Sequence, residues 1–475
     1  MTSPTRPPHR VLAELDETAA FLRERLAHAA EATRPVVRGH VSEVLGLGIR
    51  VRGIRSAVGD LVTILAAGPP QPVPAQVVAV HTGGATCLAL GSTVGITPGD
   101  PVLPSGSAAT VPAGPGLLGR VVDALGRPMD GRGPLAHVVA VPLEQSAPNP
   151  LLRRRVDQAL ATGVRALDTL VPVGAGQRVG IVAGSGVGKS TLLGMAVRGT
   201  SAPVRVVALV GERGREVREF LEDTLDEAAR ARTVVVLATG DDPPMLRLAA
   251  AFTATRIAEW FRDEGLDVLL VVDSVTRTAL AQREVALAAG EPPATRGYPA
   301  SVFAMLPRLL ERTGPGEHGS ITALYTVLVE GDDLQDPIGD TVRGILDGHV
   351  VLSRRLATAG HFPSIDVLES ISRVERAVLE PGQLALAATA RRLLAAYRDA
   401  RELIDVGVYS PGSDRDVDAA IALRSQFDAF LRQAPHDVVN VDDAWAQLGA
   451  LLAGTGSPVG TGSLVRTASP VGSAP

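Results

Sequence analysis

The sequence predicts an α/β protein with a small N-terminal β-barrel, a central, mainly parallel sheet covered by helices, and a C-terminal helical domain. Three observations support this prediction. Short β-rich segments broken by Gly, Pro and Asp fill residues 36–111, a pattern typical of a small barrel. β-branched apolar runs alternate with helical segments over residues 164–380, which indicates a doubly wound sheet. Apolar residues recur at helical spacing over residues 381–453.

Length and composition fit this organisation. A chain of 475 residues suggests about three domains. The chain is 45% hydrophobic and 20% charged, and no apolar run approaches the roughly 18–20 residues of a membrane helix. The start of the chain lacks the pattern of a secretory signal, and the single Cys87 builds no internal disulfide framework. We therefore expect a cytoplasmic protein. A net charge of −5 offers no general attraction for nucleic acid.

The N-terminal part divides into three segments. Residues 1–35 contain apolar residues three or four positions apart, which predicts an amphipathic helix over residues 11–30. This helix either packs on its own domain or docks on a partner's helices. The β-barrel follows over residues 36–111, with strand candidates Val36–Val44, Ile49–Val51, Leu61–Leu65, Gln76–Val80 and Cys87–Leu90. Residues 112–163 are rich in turn formers and should form a linker of fixed geometry.

The central domain carries the strongest strand signals. Its strand candidates are Arg178–Val182, Val204–Val210, Thr233–Ala238, Val268–Val272, Ile321–Val329 and Val350–Leu352. The last segment, residues 454–475, is rich in Gly, Ser, Thr and Pro, a composition that predicts disorder.

A glycine-rich loop joins an apolar strand to an apolar helix in the central domain. Its residues are Ala183, Gly184, Ser185, Gly186, Val187, Gly188, Lys189, Ser190 and Thr191. The glycines let backbone N–H groups converge on phosphate oxygens at the positive end of the helix. Lys189 should reach the β- and γ-phosphates of ATP, and Ser190 offers a hydroxyl to Mg²⁺. Thr191 begins the helix beside the phosphates. The pattern predicts ATP binding.

Two carboxylates follow at strand ends. Asp273 ends the apolar run of residues 269–273 and could hold Mg²⁺ through its water shell, next to Ser190. Glu212 follows the run of residues 204–210, at the sheet edge where ligands of α/β proteins bind. We expect Glu212 to orient the water that attacks the γ-phosphate, and Arg213 to help place the phosphate or Glu212. The charged residues 215–219 read as an exposed, salt-bridged helix start.

Further motifs carry a resemblance to a known family. They are DSVTR over residues 273–277, AQREVALAAGEPPATRGYP over 281–299, YTVLVEGDD over 325–333 and ILDGHVVLSRR over 345–355. Together with the phosphate loop, they resemble the hexameric ATPases of the rotary ATP synthase superfamily, and most closely the type III protein-export ATPases. The match runs from about Gly39 to Gln433. It implies a central domain of the RecA-like P-loop type.

The resemblance implies roles for further residues. The segment SISRV over residues 370–374 is similar to the one that supplies an arginine finger, so Arg373 should enter the neighbouring subunit's site. The segment HFPSID over residues 361–366 is similar to the loop whose aromatic ring packs on adenine, which points to Phe362. Family members carry a second ring near residues 430–433, for which no counterpart is assigned in this chain. Ala300 replaces a proline in a loop that should face the ring's central channel.

The resemblance also implies the activity. We expect a homohexamer that hydrolyses ATP with Mg²⁺ and energises release and unfolding of substrates at a protein-export apparatus. Implied partners are a regulatory stator-like dimer at the N-terminus, a stalk-like central protein, export gate membrane proteins, export chaperones and their substrates. The chain should lie at the inner face of the cytoplasmic membrane. The segments Pro292–Tyr298 and Gly412–Asp414 favour the flagellar system over the virulence injectisome.

Three other classes of protein fit less well. An RNA translocase of related fold should carry aromatic residues for stacking on bases, but residues 36–111 contain no Phe, Trp or Tyr. A non-catalytic ring subunit should lack a carboxylate at position 212. The catalytic subunit of the ATP synthase usually has Thr where this chain has Gly214, and Gly where it has Val217.

Overall fold

The computed structural model describes residues 25, 38–66, 72–329 and 336–453. The predicted helix over residues 11–30 and the tail 454–475 lie outside the described residues, Arg25 excepted. The described residues divide into two compact units. The first comprises those up to Cys87 together with Thr93–Gly106, and the second comprises Leu88–Ser92 and those from Ser107 on.

A closed six-stranded barrel is found where the sequence predicts one. Its strands are β1 (Gly39–Leu45), β2 (Gly48–Arg52), β3 (Asp60–Ile64), β4 (Val73–His81), β5 (Gly84–Ala89) and β6 (Pro101–Ala108). They close in the order β1-β2-β5-β4-β3-β6. Buried and partly exposed residues alternate along β3 and β4, because successive side chains of a strand point to opposite faces. Val62 and Ile64 are among the residues that fill the interior.

A large sheet forms the centre of the second unit. Its strands are β8 (Val121–Asp123), β10 (Arg178–Ala183), β11 (Val204–Glu212), β12 (Thr233–Thr239), β13 (Asp267–Asp273), β14 (Gly314–Pro315), β15 (Ser320–Leu328), β16 (Gly348–Leu352) and β17 (Ile365–Ser372). The strand order is β17-β16-β10-β15-β13-β11-β12-β8, with β14 paired to β15. Neighbours run parallel, except that β17 is antiparallel to β16 and β14 to β15. The predicted mainly parallel sheet is therefore confirmed.

Helices cover both faces of this sheet. They are α1 (Arg165–Thr169), α2 (Lys189–Gly199), α3 (Gly214–Glu219), α4 (Glu227–Ala231), α5 (Pro244–Asp263), α6 (Val275–Ala288), α7 (Ala300–Leu310), α8 (Pro337–Ile345), α9 (Arg354–Thr358) and α10 (Glu375–Val378). Apolar side chains of α2 pack on one face, and those of α5, α6 and α7 pack on the other. Since strands such as β11 are buried on both faces, they read as continuous apolar runs.

Three further helices form the C-terminal part, as predicted. They are α11 (Pro381–Asp405), α12 (Arg415–Leu431) and α13 (Val441–Leu452). Helix α11 begins with a capping box between Glu380 and Gln383, and Asp414 caps α12. Leu386, Ala390 and Leu393, which recur at helical spacing, are buried in the same core as α2. None of the described helices is both long and apolar enough to cross a membrane.

The segment expected to link the barrel to the central domain does more than connect them. Its strand β8 pairs with β12 and forms one edge of the large sheet. Two further strands, β7 (Thr110–Ala113) and β9 (Val139–Pro142), pair with each other. Strand β17, at the other edge of the large sheet, is not among the strand candidates of the sequence. Its sequence lacks a clear apolar pattern because the second half of the strand is exposed: Glu369 and Ile371 both face solvent.

Candidate active site

The glycine-rich loop lies between β10 and α2, at the carboxyl edge of the sheet. Strand β10 ends at Ala183 and helix α2 begins at Lys189. Gly186 and Gly188 have φ angles of 74° and 89°, in the left-handed region that side chains disfavour. Glycine at these two positions lets the loop turn tightly. The first N–H groups of α2, like those of any α-helix, have no intrahelical partner. The predicted strand, loop and helix are therefore all present.

Lys189 lies between the two predicted strand-end carboxylates. Its Nζ is 2.5 Å from Oδ1 of Asp273 and 3.3 Å from Oε1 of Glu212. Strands β11 and β13 are neighbours in the sheet, so their last residues reach the same edge. The parallel sheet thus brings together three residues that are 84 positions apart at the extremes.

Both carboxylates are almost inaccessible. Glu212 is 6% exposed and Asp273 is 3% exposed. Burial disfavours the charged form and raises the pKa of Glu212 above its usual range, and a hydrogen bond with Glu216 raises it further. Lys189 and Arg277 act in the opposite direction and lower that pKa. Glu212 is thus a nearly inaccessible carboxylate whose charge depends on two nearby cations.

Arg277 is a member of this cluster to which the sequence reasoning assigned no role. Its Nε is 3.4 Å from Oε1 of Glu212. Gly211 has a φ of 69°, and a Cβ at this position would lie 2.9 Å from Cδ of Arg277. Glycine before Glu212 therefore makes room for the arginine. The available signal was the spacing: Arg277 falls on the first turn of α6, directly after the strand that ends at Asp273.

Phe362 lies against the phosphate loop. A Cβ at Gly188 would be 3.3 Å from both Cδ1 and Cε1 of the Phe362 ring. The hydroxyl of Ser364 donates to the carbonyl of Val187 at 2.5 Å, which fastens the two loops together. Phe362 itself remains partly open to solvent, since it is 40% exposed. The loop predicted to contact adenine is therefore next to the loop predicted to hold phosphates.

The C-terminal helical part supports the Phe362 loop through its backbone. The N–H of Gln433 donates to the carbonyl of Phe362 at 3.0 Å. The amide side chain of Gln433 donates to the carbonyl of Gly163 at 2.7 Å. Phe430 is buried in the core, with the guanidinium of Arg165 5.8 Å from its ring centroid. Phe430 therefore presents no free ring face comparable with that of Phe362.

Two predicted arginines do not join the cluster. The side chain of Arg213 is 78% exposed and pairs with Glu216 at 3.4 Å. Arg373 is exposed and follows β17, whose last residue Ser372 pairs with Gly348, the first residue of β16. Because β16 is parallel to β10, Arg373 lies at the amino edge of the sheet, opposite the phosphate loop. Arg373 is thus not placed to act on a nucleotide held by its own chain.

The fold and site define the class. A glycine-rich strand-to-helix loop whose lysine meets carboxylates at the ends of neighbouring parallel strands is the site of a P-loop nucleotide hydrolase. Two family models agree: the ATP synthase alpha/beta family, nucleotide-binding domain, matches residues 163–372, and the T3SS EscN ATPase C-terminal domain matches residues 379–450.

Curated relatives and solved structures narrow the class to one family. The flagellum-specific ATP synthase of Bacillus subtilis (strain 168) is 49% identical over 414 residues, which cover 87% of this chain and 94% of the relative. The type 3 secretion system ATPase of Xanthomonas euvesicatoria is 47% identical over 423 residues, 89% of this chain and 95% of the relative. The assembled ATPase EscN from the enteropathogenic E. coli type III secretion system superposes with a TM-score of 0.83 at 44% identity, covering 87% of this chain and 100% of EscN.

The chain therefore belongs to the type III secretion ATPases, the family that includes flagellum-specific ATP synthases and virulence-system ATPases. The predicted family is confirmed, and the chain is an ATP-hydrolysing enzyme. A second solved structure, EscN in complex with its central stalk EscO, superposes with a TM-score of 0.81 at 43% identity, covering 87% of this chain and 100% of that chain.

Such an ATPase usually takes a divalent cation with its nucleotide, and the oxygen donors at the site fit Mg²⁺. Ser190 offers an exposed hydroxyl at the start of α2, and Asp273 offers a buried carboxylate beside Lys189. Within the described ranges, no group of three or more His, Cys, Asp or Glu side chains could hold a metal alone. Mg²⁺ suits such a sparse donor set, because it keeps several waters and takes further oxygens from phosphates.

Proposed function

We propose that the chain hydrolyses Mg–ATP at sites shared between neighbouring subunits of a homohexameric ring, and that this activity energises substrate release and unfolding at a flagellar type III export apparatus. The observation that carries the proposal is the separation of the charges within one chain. Lys189, Glu212 and Asp273 converge at the carboxyl edge of the sheet, whereas Arg373 lies at the amino edge. A complete site then needs two chains.

The contacts of Lys189 suggest how the site works. The lysine pairs with two buried carboxylates, and a triphosphate in the glycine-rich loop would compete for its ammonium group. Once Lys189 turns to the β- and γ-phosphates, Glu212 keeps Arg277 as its cationic neighbour and can accept a hydrogen bond from the attacking water. Mg²⁺ held by Ser190 and Asp273 would neutralise phosphate charge. Arg213 is exposed in the free chain and would have to turn inward to touch phosphate.

The base of the nucleotide would lie on Phe362. The ring borders the phosphate loop at Gly188 and is exposed enough to accept an adenine on its free side. The hydrogen bond from Gln433 to the Phe362 carbonyl ties this loop to the C-terminal helices. Movement of those helices would therefore reach the base-binding loop directly.

Substitution of Glu212 tests the catalytic assignment. We expect Glu212→Gln to retain ATP binding but lose turnover by about 10²–10⁴-fold, the usual contribution of a positioned general base. Glu219→Gln is the matched control, because Glu219 is exposed and pairs with Arg215 on the same helix. Normal turnover in Glu212→Gln would remove the assignment.

A mixing experiment tests the shared site. Arg373→Ala should bind nucleotide but lose activity in assembled rings, while Arg376→Ala, an exposed arginine on the following helix, should remain active. Mixing Arg373→Ala with Glu212→Gln subunits should restore part of the turnover, because about a quarter of randomly formed interfaces pair an intact Glu212 with an intact Arg373. Arg373 acting within its own chain would give no recovery.

The proposal also names the export system that the ATPase serves. The segments Pro292–Tyr298 and Gly412–Asp414 favour the flagellar system, with a virulence injectisome as the alternative. EscN is described in an assembled form and with a central stalk, which supports a ring and a stalk-like partner for this chain. The other partners would be a regulatory dimer, the export gate, export chaperones and their substrates. The chain would meet them at the inner face of the cytoplasmic membrane. Deleting the gene should abolish motility and filament export if the system is flagellar, and effector secretion if it is not.

A further inference from the structure

Thr326 is a buried threonine in β15 whose hydroxyl meets the active-site aspartate. It is 0% exposed, and its Oγ1 donates to Oδ1 of Asp273 at 2.7 Å. The carbonyl of Val272 is a second acceptor at 3.3 Å. A hydroxyl has one proton to donate, and the shorter contact goes to the acceptor that carries charge, where hydrogen bonds are strongest. Thr326 therefore holds the Asp273 carboxylate.

The Asp273 carboxylate needs such a holder when nucleotide binds. Lys189 also donates to Oδ1, at 2.5 Å, but the proposed function moves Lys189 to the phosphates. The χ2 torsion of an aspartate is soft, so the plane of the carboxylate would then be poorly defined. Thr326 keeps its place, because a β-branched side chain has a stiff χ1.

The surroundings of Thr326 are rigid. Its neighbour Tyr325 pairs with Val272 in the register between β15 and β13, which places Thr326 beside Asp273. Two residues further along β15, the N–H of Leu328 donates to Oγ1 of Thr276 at 2.9 Å. Strand β15 is thus fastened both to β13 and to the start of α6, so the Thr326 hydroxyl is a fixed point.

We propose that Thr326 is a positioning residue that orients Asp273 toward Mg²⁺ and thereby sets the affinity for Mg–nucleotide. This inference rests on the proposed function, in which Asp273 faces the metal. It assigns Thr326 no contact with nucleotide or metal. Its effect should therefore be seen only when Mg²⁺ is present.

The test measures binding of a fluorescent ADP analogue by the full chain, at varied Mg²⁺ concentration and in EDTA. Thr326→Val should raise the Mg²⁺ concentration needed for half-maximal binding about ten-fold, the size expected for one hydrogen bond to a charged group. Affinity in EDTA should stay unchanged. Thr326→Ser, which retains the hydroxyl, should restore the Mg²⁺ dependence to within about two-fold.

A matched control lies on the same face of the same strand. Thr322 is equally buried, but its hydroxyl accepts from the N–H of Gly176 at 2.8 Å, away from Asp273. Thr322→Val should lower the unfolding temperature at least as much as Thr326→Val and leave the Mg²⁺ dependence alone. If Thr326→Val does not fold, the same measurement is made on Thr326→Ala.

Two results would overturn the inference. One is an unchanged Mg²⁺ dependence in the variant that lacks the hydroxyl, and the other is an equal loss of affinity in EDTA. Asp273→Asn separates this failure from that of the proposed function. If Asp273→Asn weakens Mg²⁺-dependent binding while Thr326→Val does not, only the positioning role falls. If Asp273→Asn also binds normally, the assignment of Asp273 to the metal falls as well.

Discussion

The two edges of the large sheet each carry buried, oppositely charged side chains at close range. At the carboxyl edge, Lys189 meets Glu212 and Asp273. Near the amino edge, between α5 and the segment after α7, Arg312 meets Glu259 through two hydrogen bonds of 2.7 Å each. The carboxylates of both groups are nearly inaccessible, although the Lys189 side chain is 13% exposed and that of Arg312 only 2%. The burial of the carboxylates alone does not distinguish the two groups.

The difference lies in how firmly each cation is bound. Arg312 presents a planar fork that matches the Glu259 carboxylate, and it also donates to the carbonyl of Leu143 at 3.1 Å. Lys189 is a point charge on a flexible stem, shared unequally between two carboxylates at 2.5 Å and 3.3 Å. The arginine pair stabilises a structure, whereas the lysine can exchange its partners for a phosphate. A buried ion pair therefore indicates an active site only when its cation is free to leave.

Breaking the Arg312 pair should have the largest effect on stability. Arg312→Met removes both hydrogen bonds from the buried Glu259 and leaves Arg256, 3.6 Å away, as its cationic neighbour, so we expect the free energy of unfolding to fall by about 3 kcal/mol. Denaturant unfolding measures this loss. Replacing both partners, as Arg312→Met with Glu259→Met, should recover much of it, since the buried carboxylate is then gone. A loss no larger than that of an exposed pair would contradict the comparison.

Removal of the lysine should mainly affect chemistry. Lys189→Met should lower turnover by about 10²–10³-fold, the range for losing one preorganised donor to a developing charge. Its effect on stability should be smaller than that of Arg312→Met. Arg277 still faces Glu212, Glu212 already has a raised pKa, and Asp273 keeps the hydrogen bond from Thr326. Steady-state ATPase assays and denaturant unfolding of both variants give the comparison. Equal stability losses would mean that Lys189 is as firmly bound as Arg312.

The sequence predicted the parts of the carboxyl edge that are continuous in the chain. The phosphate loop combines a strand, small residues and a helix within residues 178–199, so local periodicity was enough. Asp273 and Glu212 were found because each follows a long apolar run, and such runs are central parallel strands. Parallel strands end at one edge, which is why separate motifs could be assigned to one site.

The remaining members of the site could not be predicted in this way. Thr326 lies within a strand rather than at its end, and only the register of β15 with β13 shows that it reaches Asp273. The placement of Arg373 depends on β17, whose outer half is exposed and lacks a clear strand pattern. Short edge strands such as β8 carry too few residues for a period-2 signal.

Two phenylalanines extend the comparison to the nucleotide's base. Phe362 is exposed beside Gly188, and Phe430 is buried in the core. Phe362→Ala should weaken binding of an ADP analogue about five-fold, close to the ~1 kcal/mol of an aromatic contact, and Phe362→Tyr should not. Phe430→Leu should lower the unfolding temperature and leave affinity nearly unchanged. If Phe430→Leu weakens binding and Phe362→Ala does not, the assignment of the base to Phe362 is wrong.

The smallest expected effect concerns the charge of Glu212. The kcat/KM profile reports groups of the free enzyme, and the proposed mechanism needs Glu212 ionised. Because burial raises the pKa of Glu212, activity should fall as pH decreases through a range above that of an ordinary glutamate. Arg277 lowers this pKa, so Arg277→Gln should move the acid limb further toward neutral pH. Arg215→Gln, which removes an exposed cation paired with Glu219, should leave the limb in place. A limb that moves to lower pH in Arg277→Gln, or not at all, would show that the arginine does not control the charge of Glu212.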